Sequence, residues 1–177
     1  TSGEAIYAVR TDGTLIRREG RTGQRREVPD FPLTELRPTS GADILYGRDA
    51  ANVLYTLRDD RPLKIAEGVE HYASNGSGDL LTYTSHRELT LWKRSTKAGT
   101  LVTRSSVPYS GLAVVTDGYY LLYSLAGQVH SIAIDGSNDQ VVAPAGRGPL
   151  MLAGDTTLVT AGAEGSPLAL ERLLAED

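Results

Sequence analysis

The stretch Asn75-Gly-Ser-Gly-Asp-Leu-Leu-Thr-Tyr-Thr-Ser-His-Arg-Glu-Leu-Thr-Leu-Trp-Lys93 holds the pattern that decides the fold. A Gly/Asp turn leads into a short apolar run ending at Tyr83, small polar residues follow, and an alternating run closes on Trp92-Lys93. Alternation over so few residues is the signature of half-buried strands rather than of a helix. With Tyr83 as a landmark preceded by apolar residues and followed by a small one, the same pattern recurs at Ile6-Tyr7-Ala8, Leu45-Tyr46-Gly47, Leu122-Tyr123-Ser124 and, weakened, Val159-Thr160-Ala161. The landmarks stand 39, 37, 40 and 37 residues apart.

Other runs keep the same phase. A second one follows each landmark: Thr14–Arg17, Val53–Leu57, Leu89–Trp92, Val129–Ile134 and Leu168–Leu170. A third follows in four units, at Arg25–Val28, Leu63–Ala66, Thr100–Thr103 and Gln140–Ala143. Another precedes each landmark after the first, at Thr34–Arg37, His71–Ser74, Leu112–Val115 and Leu150–Ala153. Asp12-Gly13, Asp117-Gly118 and Asp135-Gly136 punctuate the runs as hairpin turns do, because such turns need positive φ. Four antiparallel strands per repeat of about 40 residues, repeated radially, describe a β-propeller. The expected fold is therefore all-β, with about five four-stranded or partial blades. One domain would span 1–177, with units at about 1–30, 31–69, 70–107, 108–146 and 147–177.

The repeat resembles WD-repeat-like or Tol-type bacterial β-propellers, with Leu89-Thr-Leu-Trp92-Lys93 in the place of the strand that ends Trp-Asp in a WD repeat. The Gly-His pair and structural Asp of a full WD repeat are absent. A β-sandwich also has strands at such intervals, but it does not require the constant phase. Within Ser166–Asp177, Ser166-Pro167 would suit a helix start, whereas the repeat phase assigns strand through Leu170.

By this assignment the first unit lacks its innermost strand and the last its outermost. Two arrangements fit: a small five-bladed ring with two thin blades, or an incomplete ring finished by further sequence or another chain. The chain opens Thr1-Ser2 without Met and closes on Glu176-Asp177, where a turn is due, which favours the second. No signal peptide is visible, and the compartment, extracytoplasmic or cytoplasmic in a bacterium, stays open.

Composition bounds the chemistry. At 177 residues the chain suits one domain that buries about 70% of its unfolded surface. The longest apolar runs are far shorter than the ~20 residues of a membrane-spanning helix. Without cysteine there are no disulfides, thiolate zinc sites or thiol catalysis. A net charge of −4 argues against bulk affinity for nucleic acid. Basic charge is carried by 15 Arg and 3 Lys, a bias toward bidentate pairing that codon usage explains equally well.

Catalytic and cofactor patterns are sparse. A propeller glycosidase needs carboxylates converging at the channel, yet only Glu35 and Glu70 flank inner runs, and the later units have no equivalent. His71, His86 and His130 fall at unrelated phases, which is poor metal-site grammar. There is no phosphate-binding Gly-Lys-Ser/Thr loop and no Gly-x-Ser-x-Gly elbow. Neither enzyme activity, cofactor nor metal is therefore expected.

Two surface features remain. Arg17, Arg18, Arg21, Arg25 and Arg26 cluster on outer strands of the first unit, to clamp an anionic partner or simply to guard an edge. Arg10, Arg48, His86 and Arg87 lie just past their landmarks, and Phe31 and Tyr109 are expected in Pro-containing loops that enter inner strands. Arginine with aromatics on loops is interface composition. The expected function is a non-catalytic scaffold that engages a protein or peptide, or the rest of its own polypeptide, through this loop face. A glycan- or small-ligand-binding sensor is the alternative, and a propeller hydrolase ranks below both. Neither nucleic-acid binding nor membrane insertion is expected.

Overall fold

A computed structural model describes residues 5–20, 22–28, 33–39, 44–58, 61–115, 118–146, 150–153, 157–160 and 169–172. Its regular structure, among these residues, is all strand: eighteen strands in five antiparallel sheets, each joining strands consecutive in sequence. The chain forms two compact units, Thr1–Val69 and Glu70–Asp177.

In the first unit, β1 (Ala5–Val9), β2 (Leu15–Glu19) and β3 (Arg25–Val28) make a three-stranded sheet. The next sheet is β4 (Leu33–Pro38), β5 (Leu45–Asp49), β6 (Leu54–Arg58) and β7 (Arg61–Ala66), in that order. Leu15 and Val28 from one sheet bury against Leu33, Leu45 and Leu57 from the other. Period-2 alternation makes this possible, since it gives each strand one apolar face. The small residue after the landmark has a reason here: a Cβ on Gly47 would lie 2.6 Å from Leu33 Cδ1.

The second unit holds three sheets. One contains β8 (Val69–Ser74), which begins at the unit boundary, then β9 (Leu80–Ser85), β10 (Glu88–Lys93) and β11 (Ala98–Arg104). Another contains β12 (Tyr109–Val114), β13 (Tyr120–Leu125), β14 (Gln128–Ala133) and β15 (Gln140–Pro144). The last contains β16 (Met151–Ala153), β17 (Thr157–Thr160) and β18 (Ala169–Arg172). Sheet β12–β15 is apolar on both faces. Leu112, Val114, Leu121 and Ile132 meet Leu89 and Leu91 on one side, whereas Ala113, Leu122 and Val129 meet Leu150 and Leu158 on the other. Thr84 and Ser124, the small residues after their landmarks, are buried, and Thr84 Oγ1 accepts a bond from the His71 N–H at 3.3 Å.

Each predicted run is found as a strand, and the described strands number three, four, four, four and three per sheet. Several strands reach beyond the expected runs. The inner strand expected from Leu112 starts at Tyr109, three residues earlier. Residues 169–172 are strand, as the repeat phase assigns through Leu170: Leu170 ladders opposite Val159, and the helix-start signal at Ser166-Pro167 lies outside the described residues. Bulges interrupt the ladder between the third and fourth strands of every four-stranded sheet, after Leu54, Leu89 and Val129, and sharpen the local twist.

Gly136 seats the β14–β15 turn against β11. Its φ is +86°, and an added Cβ would stand 2.7 Å from the Val102 carbonyl oxygen. Gly136→Ala is therefore expected to destabilise the protein by about 1–3 kcal/mol, read as a lower urea midpoint at unchanged slope.

Candidate functional site

The turns between the landmark run and the run that follows it share a backbone device in the first four sheets. Gly13, Asn52, Arg87 and Gly127 all adopt positive φ, between 61° and 85°. Each carbonyl accepts a hydrogen bond from a segment further along the chain: from Leu33, Val69, Ser105 and Ala145 N–H at 3.0, 2.9, 3.0 and 2.9 Å. The donor lies 17 to 20 residues downstream, at or just before the next inner strand or in the segment leading to it. Local polar residues shape these turns. Asp12 Oδ1 accepts from Thr14 N–H, and Asp49 Oδ1 accepts from both Ala51 and Val53 N–H, all at 2.9 Å.

The β9–β10 turn is the unusual one. Ser85 pairs with Glu88, so the loop is His86-Arg87 alone, with φ of 50° and 66°. A two-residue turn with both residues left-handed favours Asn-Gly, because a Cβ at positive φ is strained. The equivalent β13–β14 turn uses Ala126-Gly127. Both His86 and Arg87 are exposed. Arg87 is held twice, through its carbonyl to Ser105 and through Nη1, which donates to the Ser106 carbonyl at 2.8 Å.

The other expected site residues divide between the units. In the first, Arg48 lies within β5 rather than in a loop. Its Nη1 donates to the Val69 carbonyl at 2.9 Å and its Nη2 to Glu35 Oε2 at 3.1 Å, and Glu35 also pairs with Arg37 at 2.9 Å. Arg10 pairs with Glu27 at 2.9 Å. Phe31 lies outside the described residues. In the second unit Tyr109 is a core strand residue, 3% exposed, and offers no surface to a partner. The Pro before it read as a loop signal, but the strand has already begun.

One cluster was missed by sequence reasoning. The Tyr123 hydroxyl donates to Asp139 Oδ2 at 2.7 Å, and Asp139 Oδ1 lies 3.2 Å from His130 Nδ1. The His130 ring stacks on Tyr123 at 4.8 Å, and Tyr109 meets Tyr123 edge-on at 5.4 Å. Register brings these residues together, since Tyr123 stands opposite His130 across β13–β14. The signal was the tyrosine landmark with a polar residue seven positions on, read together with the strand pairing. Burial, reinforced by the Asp139 charge, pushes the Tyr109 hydroxyl up to about 12. Burial first, then the hydrogen bond to Asp139, raises Tyr123 as well.

Catalytic geometry is thin. No group of three or more His, Asp or Glu able to hold a metal occurs among the described residues, and Glu35 is committed to two arginines. No helix among them is long and apolar enough to cross a membrane.

Two outcomes follow from this geometry. His86→Asn relieves left-handed strain and is expected to stabilise the fold by about 0.5–1 kcal/mol, measured by urea denaturation. Tyr109 and Tyr123 have folded-state pKa values above the ordinary tyrosine value, so the folded state favours their protonated forms. Their contribution to stability is full below pH ~10 and declines as pH rises from there through about 12. Tyr123→Phe should flatten this alkaline limb in a pH series of denaturation curves.

No protein-family model matches the sequence, and no curated protein matches it. Solved structures do: 922 chains resemble it, a breadth that speaks to architecture rather than to one activity. Among them is U3-55K, a WD40 β-propeller protein, with a TM-score of 0.70 at 16% identity over 96% of this chain. The chain spans 58% of the length of that structure. At this identity the likeness concerns the fold alone, that of a β-propeller.

Proposed function

We propose that the chain is a non-catalytic binding or scaffold propeller that engages a protein or peptide through its hairpin turns. On this reading residues 1–177 act as one propeller domain or propeller fragment of five units, of WD-repeat-like or Tol-type bacterial kind. The observation that carries the binding role is the His86-Arg87 turn. Two exposed side chains occupy left-handed positions that Asn-Gly would fill with less strain, and strain kept at an exposed turn points to selection for the side chains themselves. Arg87 is fixed by Ser105 and Ser106, so the turn is preorganised and binding loses little conformational entropy. Arg10 and Arg48 occupy the corresponding end of the sheets in the first unit. A hydrolase is less well supported, because Glu35 is held in ion pairs with Arg37 and Arg48.

Selection of peptides from a displayed random library against the intact chain tests the reading. The double variant His86→Asn/Arg87→Gly keeps the turn type while removing both side chains. Selected peptides are expected to bind this variant at least tenfold more weakly, with its thermal unfolding no lower than that of the parent. Peptides that bind parent and variant alike, or a library that yields no binder, would overturn it.

A further inference from the structure

The turn between β8 and β9, which runs from Asn75 to Asp79, carries a reactive pair that the proposed binding role leaves unused. Asn75 is half-buried and Gly76 is exposed. The Leu80 N–H donates to Asn75 Oδ1 at 3.1 Å, and the Asn75 N–H donates in turn to the Leu80 carbonyl at 3.1 Å. The Gly78 N–H closes the turn on the Asn75 carbonyl, also at 3.1 Å. The left-handed glycine of this turn is Gly78, at φ 77°, so backbone conformation calls for glycine at 78 rather than at 76. Glycine at 76 instead provides an amide nitrogen with no Cβ beside it, directly after an asparagine side chain. Asn52 and Asn138 differ, since Val53 and Asp139 follow them.

We propose that Asn75-Gly76 is a site of spontaneous covalent modification, where the asparagine is converted to isoaspartate and aspartate within the folded protein. The Gly76 amide gives its proton to hydroxide, and its nitrogen attacks Asn75 Cγ. The new C–N bond closes a cyclic imide, while Nδ2 takes a proton from water and leaves as ammonia. Water then adds to either imide carbonyl and breaks its C–N bond. Opening at one carbonyl restores the main chain with an aspartate side chain. Opening at the other routes the main chain through Cβ and Cγ, which is isoaspartate. The net change is a water consumed, an ammonia released and a carboxylate gained. Attack places negative charge on Oδ1, and the Leu80 N–H already donates to that atom, as a donor does in an oxyanion hole. Folding thus gives Asn75 a stabilising group that an unfolded turn lacks. Isoaspartate lengthens the path from β8 to β9 at the residue whose bonds to Leu80 and Gly78 shape the turn. Aspartate keeps an oxygen for the Leu80 N–H and strengthens that bond with its charge. The site lies in the second unit and does not depend on the His86-Arg87 reading.

Incubation of the intact chain at mildly alkaline pH, followed by peptide mass spectrometry and isoaspartyl methyltransferase labelling, tests the proposal. Asn75 is expected to convert at least as fast in the folded chain as in the same chain unfolded in guanidinium chloride. Isoaspartate is expected among the products, and Asn52 and Asn138 are expected to convert more slowly. Gly76→Ala is expected to react about tenfold more slowly or less, because a Cβ at 76 crowds the approach of its nitrogen, with thermal unfolding close to that of the parent. The comparison of folded with unfolded chain uses the parent alone and stands whether or not the variant folds. The proposal fails if the folded chain keeps Asn75 longer than the unfolded chain does, if aspartate is the sole product, or if Asn52 or Asn138 keeps pace. A folded Gly76→Ala chain that reacts at the parent's rate overturns it as well.

Discussion

A left-handed residue in the turn after the landmark strand of the first four sheets is the constraint on which much of the described fold depends. An antiparallel hairpin can be closed in several ways; at Gly13, Asn52, Arg87 and Gly127 it is closed with positive φ and the carbonyl meets a downstream N–H. A buried or half-buried amide without a partner is unfavourable by an amount comparable to a lost hydrogen bond. The turn therefore does two things at once: it reverses the chain and satisfies the strand-entry segment that follows. The arginines add to this in two places, where Arg48 holds the Val69 carbonyl and Arg87 the Ser106 carbonyl. Charge-assisted bonds of this kind are stronger than neutral ones, so these two arginines also brace the backbone.

The strands were legible because alternation and the tyrosine landmark operate at short range. A residue such as Leu91 or Leu122 must be apolar for its own sheet, whatever lies beyond it, and that need is written at period two. The left-handed positions were only half legible. Asp12-Gly13 announces itself, whereas nothing in His86-Arg87 signals a turn with both residues at positive φ. Tyr109 was misplaced for a related reason. Pro108 reads as a loop, but what sets the conformation of its neighbour is packing against Tyr123, a contact invisible without the register. Asp139 and His130 were missed because they meet through a turn and a bulged ladder, and a one-residue bulge defeats any fixed spacing rule.

Polar residues in these sheets are placed where the ladder alone would be under-determined. Thr82 Oγ1 donates to the Thr90 carbonyl, and Thr84 Oγ1 receives the His71 N–H, both from within a buried strand. Threonine keeps the β-branched shape that suits a pleated surface while supplying a hydroxyl that fixes register. The Tyr123–Asp139–His130 group plays a comparable part at the edge of its sheet. It joins β13 and β14 to the turn before β15, beside the bulge where regular pairing is interrupted.

Every described ladder joins strands that are neighbours in sequence, and each turn carbonyl finds its donor fewer than two dozen residues on. All-β proteins commonly fold slowly because their pairings are remote and loop closure must precede any reward. Here the contacts that define each sheet are made by a stretch of about 40 residues. A chain emerging from the ribosome could complete one sheet before the next was synthesised. That limits the time during which unpaired, aggregation-prone edges stand open.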